Sequence, residues 1–289
     1  MAEKCIPVDL FNPGQVFACL GFLEAADVLL GDAAGGFDWS GTDARFVLRA
    51  DGDENPFGAV LAFLAEATVE SVAPHGSVLS TQKWNVPTSV SAPGEPFPFP
   101  EPNSPATLPA LLRTPSGKSI LVDHWGDRTQ RDNVKFWAGA GGYPGAALFR
   151  DGLALCLPLP PQTADDPFRV PAIQSSSFRL DWRRDYIPLD VGFSPNAHGD
   201  IEMRGYPIVE LMAAIGLTHA RPKRFNKLQY GYGVLQGARC DLYEPILHRV
   251  ALGQTALPLQ RRMFRFDLGW PGKEDQARCI LDVHEEPTP

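Results

Sequence analysis

An α+β fold, with mixed sheets and packed helices in one large or two closely associated domains, is what this sequence predicts, on three observations. Strand and helix patterns alternate through the first 75 residues, no repeat of fixed period follows, and 44% hydrophobic content over 289 residues supplies a real core.

Taken in order, Ile6 to Leu10 is rich in β-formers. Asn12-Pro13-Gly14 gives a turn ahead of an apolar helix from about Gln15 to Leu30, closed by Gly31. Arg45 to Arg49 fits a short strand, Pro56 sits in the first turn of a helix reaching about Glu66, and Thr68 to Val72 alternates as a strand. Residues 1–86 therefore read as an N-terminal acidic α+β unit.

Eight prolines fall in the 23 residues from Pro87 to Pro109, a density that forbids a helix or a central strand, so 87–110 is expected to be a linker or long ordered loop. Residues 111–289 read as a C-terminal α+β unit. A strand at Ser119 to Asp123 and a helix after Pro144 precede a second break, with five prolines from Pro158 to Pro171. Beyond it the pattern predicts paired strands near Phe178 to Leu180 and Ile187 to Val191. Helices are expected from Pro207 to Ile215 and near Leu242 to Leu252, and a last strand at Met263 to Leu268.

The longest apolar stretch, Val16 to Leu30, carries Glu24 and Asp27 and falls short of the roughly 20 residues a membrane span needs. No secretory signal pattern opens the chain, and five widely spaced cysteines without C-x-x-C spacing suit reduced, buried thiols. A cytoplasmic protein without membrane contact is expected. The net charge of −8 is unevenly placed, because residues 1–112 hold 4 Lys/Arg against 14 Asp/Glu and residues 113–289 hold 22 against 20. Basic surface for a polyanion belongs to the second part.

Asp123-His124-Trp125-Gly126-Asp127 puts a histidine between carboxylates after a predicted strand, which would suit a metal-dependent hydrolase or nuclease. It lacks motif-spaced further ligands, and the nucleophile-elbow, zinc-helix, kinase and deaminase signatures are missing. The chain is accordingly expected not to be an enzyme and to need no cofactor or metal. The small-residue run from Trp137 to Ala147 fits either tight backbone packing or contact with a polynucleotide, and it matches no nucleotide-binding loop.

Three clusters mix cations with rings, a combination that neutralises phosphates and stacks on unpaired bases. They supply the candidate nucleic-acid contacts: Arg128, Arg131, Lys135 and Trp137; Arg179, Trp182, Arg183 and Arg184; Lys223, Arg224 and Lys227. Asp132, Asp181 and Asp185 lie among them, so internal ion pairing is the competing role.

Ile6 to Leu10, Asn12-Pro13-Gly14-Gln15 and Phe17 to Gly21, with Asn133 to Gly145, Gln174 to Phe178 and Asp181 to Asp185, resemble a family of CRISPR-associated proteins encoded with type I-U systems, now called type I-G. The resemblance implies a subunit of an RNA-guided effector acting in antiviral DNA interference, similar to the large subunit of a Cascade complex, or an accessory module of the helicase-nuclease. Its implied partners are the other effector subunits, guide RNA or target DNA, and the helicase-nuclease. It transfers no catalytic residue to this chain.

Overall fold

Helix α1 (Pro13–Leu29) organises the molecule, and its local sequence explains both ends. Asn12 caps it, with its side-chain oxygen accepting from the Gln15 N–H, and Pro13 occupies the first turn, where a missing donor costs nothing. At the other end Gly31 adopts φ +91 and donates to the carbonyls of Ala26 and Asp27. The computed structural model describes residues 1–98, 102, 104–125, 143–173, 177–183, 202–237, 241–269 and 278–287.

Residues 13–26 of α1 are all buried, so this helix runs through the core rather than over it. One side packs along α4 (Pro207–His219), itself buried from Pro207 to Leu217. Other contacts are with α2 (Pro56–Glu66) and α5 (Pro245–Leu252). Remaining among the described helices is α3 (Gly145–Cys156), which packs on α4. Burying Phe17, Phe22 and Leu23 completely stabilises by about 1.5–3 kcal/mol each.

Among the described residues, three larger sheets and one short one lie around this helical layer. The first has the order β1-β3-β2, antiparallel, from β1 (Ala2–Pro7), β2 (Ala34–Asp38) and β3 (Arg45–Ala50). The second contains β4 (Thr68–Ala73), β5 (Thr88–Val90), β6 (Ala110–Arg113) and β7 (Ser119–Val122) in the order β5-β4-β6-β7. A two-stranded pair joins β8 (Ala172–Ile173) to β9 (Arg204–Gly205). The last sheet is an antiparallel ladder in chain order, β10 (Lys223–Asn226), β11 (Gln229–Leu235), β12 (Arg261–Gly269) and β13 (Cys279–Glu286). On its inner face Tyr230 and Tyr232 stack on Phe266 and Phe264 across the strands, and Phe17 of α1 meets Tyr232 edge-on.

The α+β class is thus observed, and several boundaries move. The first strand runs from 2 to 7 rather than 6 to 10, because the Asp9 carboxylate accepts from the Phe11 N–H and turns the chain before the helix. The expected strand at 178–180 is replaced by irregular backbone. Arg179 has φ 64, and the N–H groups of Leu180 and Asp181 donate to the buried Glu210 carboxylate instead of to a neighbouring strand. The expected partner strand at 187–191 lies outside the described residues.

Across the proline-rich segment the sheet is continuous. β5, just after Pro87, pairs parallel with β4 at the edge where a missing donor is harmless, and β6, just after Pro109, pairs antiparallel with β4 on its other side. Strands drawn from residues 1–86 and 111–289 therefore share one sheet, and α1 packs on α4 across the same division. Among the described residues no helix is long and apolar enough to cross a membrane. Of the described cysteines, Cys19, Cys156 and Cys279 are buried and Cys5 is exposed; burial pushes the Cys156 thiol up to about 12 and Cys19 well above its ordinary value.

Candidate functional site

Beside the N-terminal turn of α1 opens a cleft of about 700 Å3, lined by Gln15 and by the preceding Pro7 to Phe11, while Asn12, Pro13 and Gly14 are buried. Each residue from Asn12 to Gln15 has a distinct physical task there. Asn12 caps the helix and donates from Nδ2 to Asp181 Oδ1 at 2.9 Å, Pro13 starts the helix, and Gln15 Oε1 accepts from the Asp9 N–H at 2.8 Å. Gly14 lies so close to the chain at Leu180 that an added Cβ would stand 2.5 Å from its carbonyl oxygen.

Asp181 is fully buried, and its charge is met by Arg183, whose guanidinium binds it at 2.6 Å, donates to the Phe168 carbonyl at 2.9 Å and lies 3.6 Å over the Tyr206 ring. Arg183 lines the cleft with its Nε and Nη2 donors engaged inside the protein. That is the internal ion-pairing role for Arg183, and a satisfied buried pair fixes geometry more than it stabilises.

Two other cations of the cleft, Arg45 and Arg169, are less committed, and a third, Arg262, is paired inside the protein. Arg45 is exposed, with one side-chain hydrogen bond, to Cys5 Sγ at 3.5 Å; Arg169 meets Asp166 at 3.5 Å while its side chain stays 83% exposed. Burial raises the Asp166 pKa, and Arg169 and Arg183 pull it down. Arg262 forms a two-pronged pair with Glu285 at 2.6 and 2.7 Å and stands 5.7 Å over the Trp39 ring. The hydrogen bond between them raises the arginine and lowers the carboxylate, so both stay charged. Phe11 is partly exposed on the same wall. Arg45 and Arg169 with two rings can hold an anion and stack on a flat group, while Asp9, Asp43 and Asp166 in the lining set a limit on how negative an occupant can be.

Of the candidate contacts from sequence, Arg183 lines this cleft. Trp182 beside it is exposed, and Arg179 is partly buried in the same irregular segment. Lys223, Arg224 and Lys227 sit on β10 and the turn after it, away from the cleft lining; Lys223 lies 5.1 Å over Phe225. Arg128, Arg131, Lys135, Trp137 and Arg184 lie outside the described residues, as does Asp127. Trp39 and Arg45 flank the loop of the β2–β3 hairpin while Arg169 and Arg262 come from distant segments, so no contiguous basic-aromatic cluster contains them. Gln15 and Arg183 are among the residues singled out from the sequence that reach this place.

Asp123 and His124 do not converge. His124 is buried and packs against Trp125 and Phe178, with Arg221 on its carbonyl. Asp123 is raised by burial and lowered by the charges of Arg221 and His219, while His219 is lowered by burial and raised by Glu24. Among the described residues neither Asp123 nor His124 belongs to a trio of side chains close enough to share an ion. Gly145 shows the tight-packing role expected of the small-residue run: its Cβ would fall 2.3 Å from the Trp125 indole, which stacks on Phe178 and donates to the Leu108 carbonyl. No family model, curated protein or solved structure matches the chain.

Proposed function

We propose that the chain is a non-catalytic subunit of a type I-U/I-G RNA-guided effector and contacts nucleic acid through the cleft at the start of α1. One observation carries this reading. Gln15, the last residue of the distinctive Asn12 to Gln15 segment of the resemblance, lines a cleft whose rim presents Arg45 and Arg169 with Trp39 and Phe11. Arginine with aromatic rings suits a sugar-phosphate backbone and an unstacked base, and in such effectors guide pairing reads sequence while protein holds the backbone. The acidic lining and the excess of acid in residues 1–112 favour binding within an assembly, where neighbouring subunits add positive charge, over tight binding by the isolated chain.

The test is co-purification of the tagged chain from cells expressing the whole operon, followed by RNA extraction. The expected result is recovery of effector subunits and guide RNA, with RNA recovery reduced in the double variant Arg45→Glu, Arg169→Glu while its melting temperature stays unchanged. A chain that recovers neither subunits nor RNA overturns the reading. Purified protein is expected not to cleave DNA or RNA with magnesium or manganese; cleavage lost in Asp123→Ala would establish the hydrolase reading instead.

A further inference from the structure

We propose that Asp267, Asp282 and His284 form a binding site for a divalent transition-metal ion on the outward face of the β12–β13 pair, one that takes Zn2+ in preference to Mn2+ or Ca2+. The site is separate from the cleft and independent of the function proposed above.

The placement follows from strand geometry. Asp267 and Asp282 are direct partners across the two strands, and His284 follows Asp282 by two residues, so alternation puts all three side chains on one face. The register shifts between Asp267 and Leu268, leaving Leu281 as the extra residue of a bulge and holding Asp282 opposite Asp267. One ligand atom from each side chain lies within 4.8 Å of the other two. Ligands bonded at about 2.0–2.2 Å around one zinc ion stand roughly 3–4 Å from one another, a closure that exposed side chains reach by rotation.

Electrostatics points to a cation. Like charges directly opposite destabilise a strand pair, and neither aspartate has a cationic partner among the described residues. Arg265, on the same face two residues before Asp267, is held by Glu286 and lies 4.0 Å over the Phe225 ring. Gln229 Nε2 donates to Asp267 Oδ1 at 3.0 Å, fixing that carboxylate as outer-shell partners fix metal ligands and leaving its second oxygen for the ion. An imidazole with two carboxylates suits zinc or manganese better than calcium, which takes six to eight oxygens, and the order of affinities for nitrogen and oxygen donors favours zinc over manganese. The bound ion would tie the edge strand β13 to β12.

Isothermal titration of the full chain with zinc chloride in a non-chelating buffer tests this, on a Cys5→Ser background that removes the exposed thiol as a competing ligand. Saturable uptake at the site, accompanied by a rise in melting temperature, is expected. Asp282→Asn and His284→Gln, both exposed positions, should each weaken it at least tenfold and abolish the thermal shift, and magnesium should bind far more weakly. Equal zinc affinity in parent and both variants, or no saturable binding by the parent, overturns the proposal. Circular dichroism of each variant separates loss of the site from loss of fold.

Discussion

Gly21 of α1 and Gly216 of α4 lie backbone to backbone: a Cβ on Gly216 would stand 2.8 Å from the Gly21 nitrogen and 2.3 Å from the Phe17 carbonyl oxygen. A Cβ on Gly21 would meet the Met212 carbonyl oxygen at 1.8 Å. The obstructing atoms are backbone, so nothing nearby can rotate away, and the two helices must separate to admit a methyl group. Gly21→Ala and Gly216→Ala are each expected to destabilise by about 2 kcal/mol or more. The double variant should lose less than the sum, since either methyl alone forces the same separation. Denaturant melts of the three variants check both statements.

Removing the buried Asp181 carboxylate should be worse than removing its partner, Arg183. Asp181→Ala strands the Arg183 guanidinium and the Asn12 amide, at a cost of roughly 3 kcal/mol. Arg183→Ala leaves that carboxylate its hydrogen bonds from the Asn12 amide and from the backbone N–H of residue 183, so its loss of stability should be smaller. Denaturant melts of the two variants decide the order.

Salt dependence separates the arginines of the cleft. If Arg45 and Arg169 each neutralise a phosphate, Arg45→Ala and Arg169→Ala should each lower the logarithmic salt slope of effector binding by about 0.9 on duplex DNA or about 0.7 on a single strand. Arg183→Ala should leave the slope unchanged, because that guanidinium is bound to Asp181. A binding series from low to high salt on assembled complexes reads the difference.

Acid should destabilise the protein through His248. Its ring is buried and hydrogen-bonded to the Gly35 carbonyl at 2.9 Å, and burial lowers its pKa to about 4. The folded state therefore holds the neutral ring, while the unfolded chain takes up a proton below about pH 6.5. Stability is full above that value and falls as the pH drops towards 4, by up to about 3 kcal/mol. His219, also lowered by burial, adds in the same direction, and Asp123, raised by burial, opposes it. Denaturant midpoints at pH 7 and 4.5 should differ less in His248→Gln than in the parent.

Sequence made the helices legible and the sheets less so. Pro13, Pro56 and Pro207 mark helix starts through a rule that depends on one residue, and a run as apolar as Val16 to Leu30 leaves little choice but burial. β2, Ala-Gly-Gly-Phe-Asp, reads as loop because its glycines carry no strand preference; they are there because Phe46 and Gly237 crowd the backbone, leaving no room for a Cβ at Gly35 or Gly36. β10, β11 and β13 lie where the pattern predicts no strand, although Tyr230 and Tyr232 alternate with glycines. The cleft was hidden for another reason: the β2–β3 hairpin that carries Trp39 and Arg45 meets Arg169 and Arg262 only through contacts between distant segments, which no local pattern encodes.

The burial of α1 has a consequence during synthesis. Its main partner α4 begins at Pro207, 178 residues after Leu29, so a ribosome adding about 5–20 residues per second leaves the apolar helix without that cover for roughly ten to forty seconds. Chains terminated before His219 would keep Phe17, Leu20 and Gly21 without the surface they are shaped to meet. Such fragments should collect in inclusion bodies or on chaperones, and the nascent full-length protein should depend on holding factors until its last third has emerged.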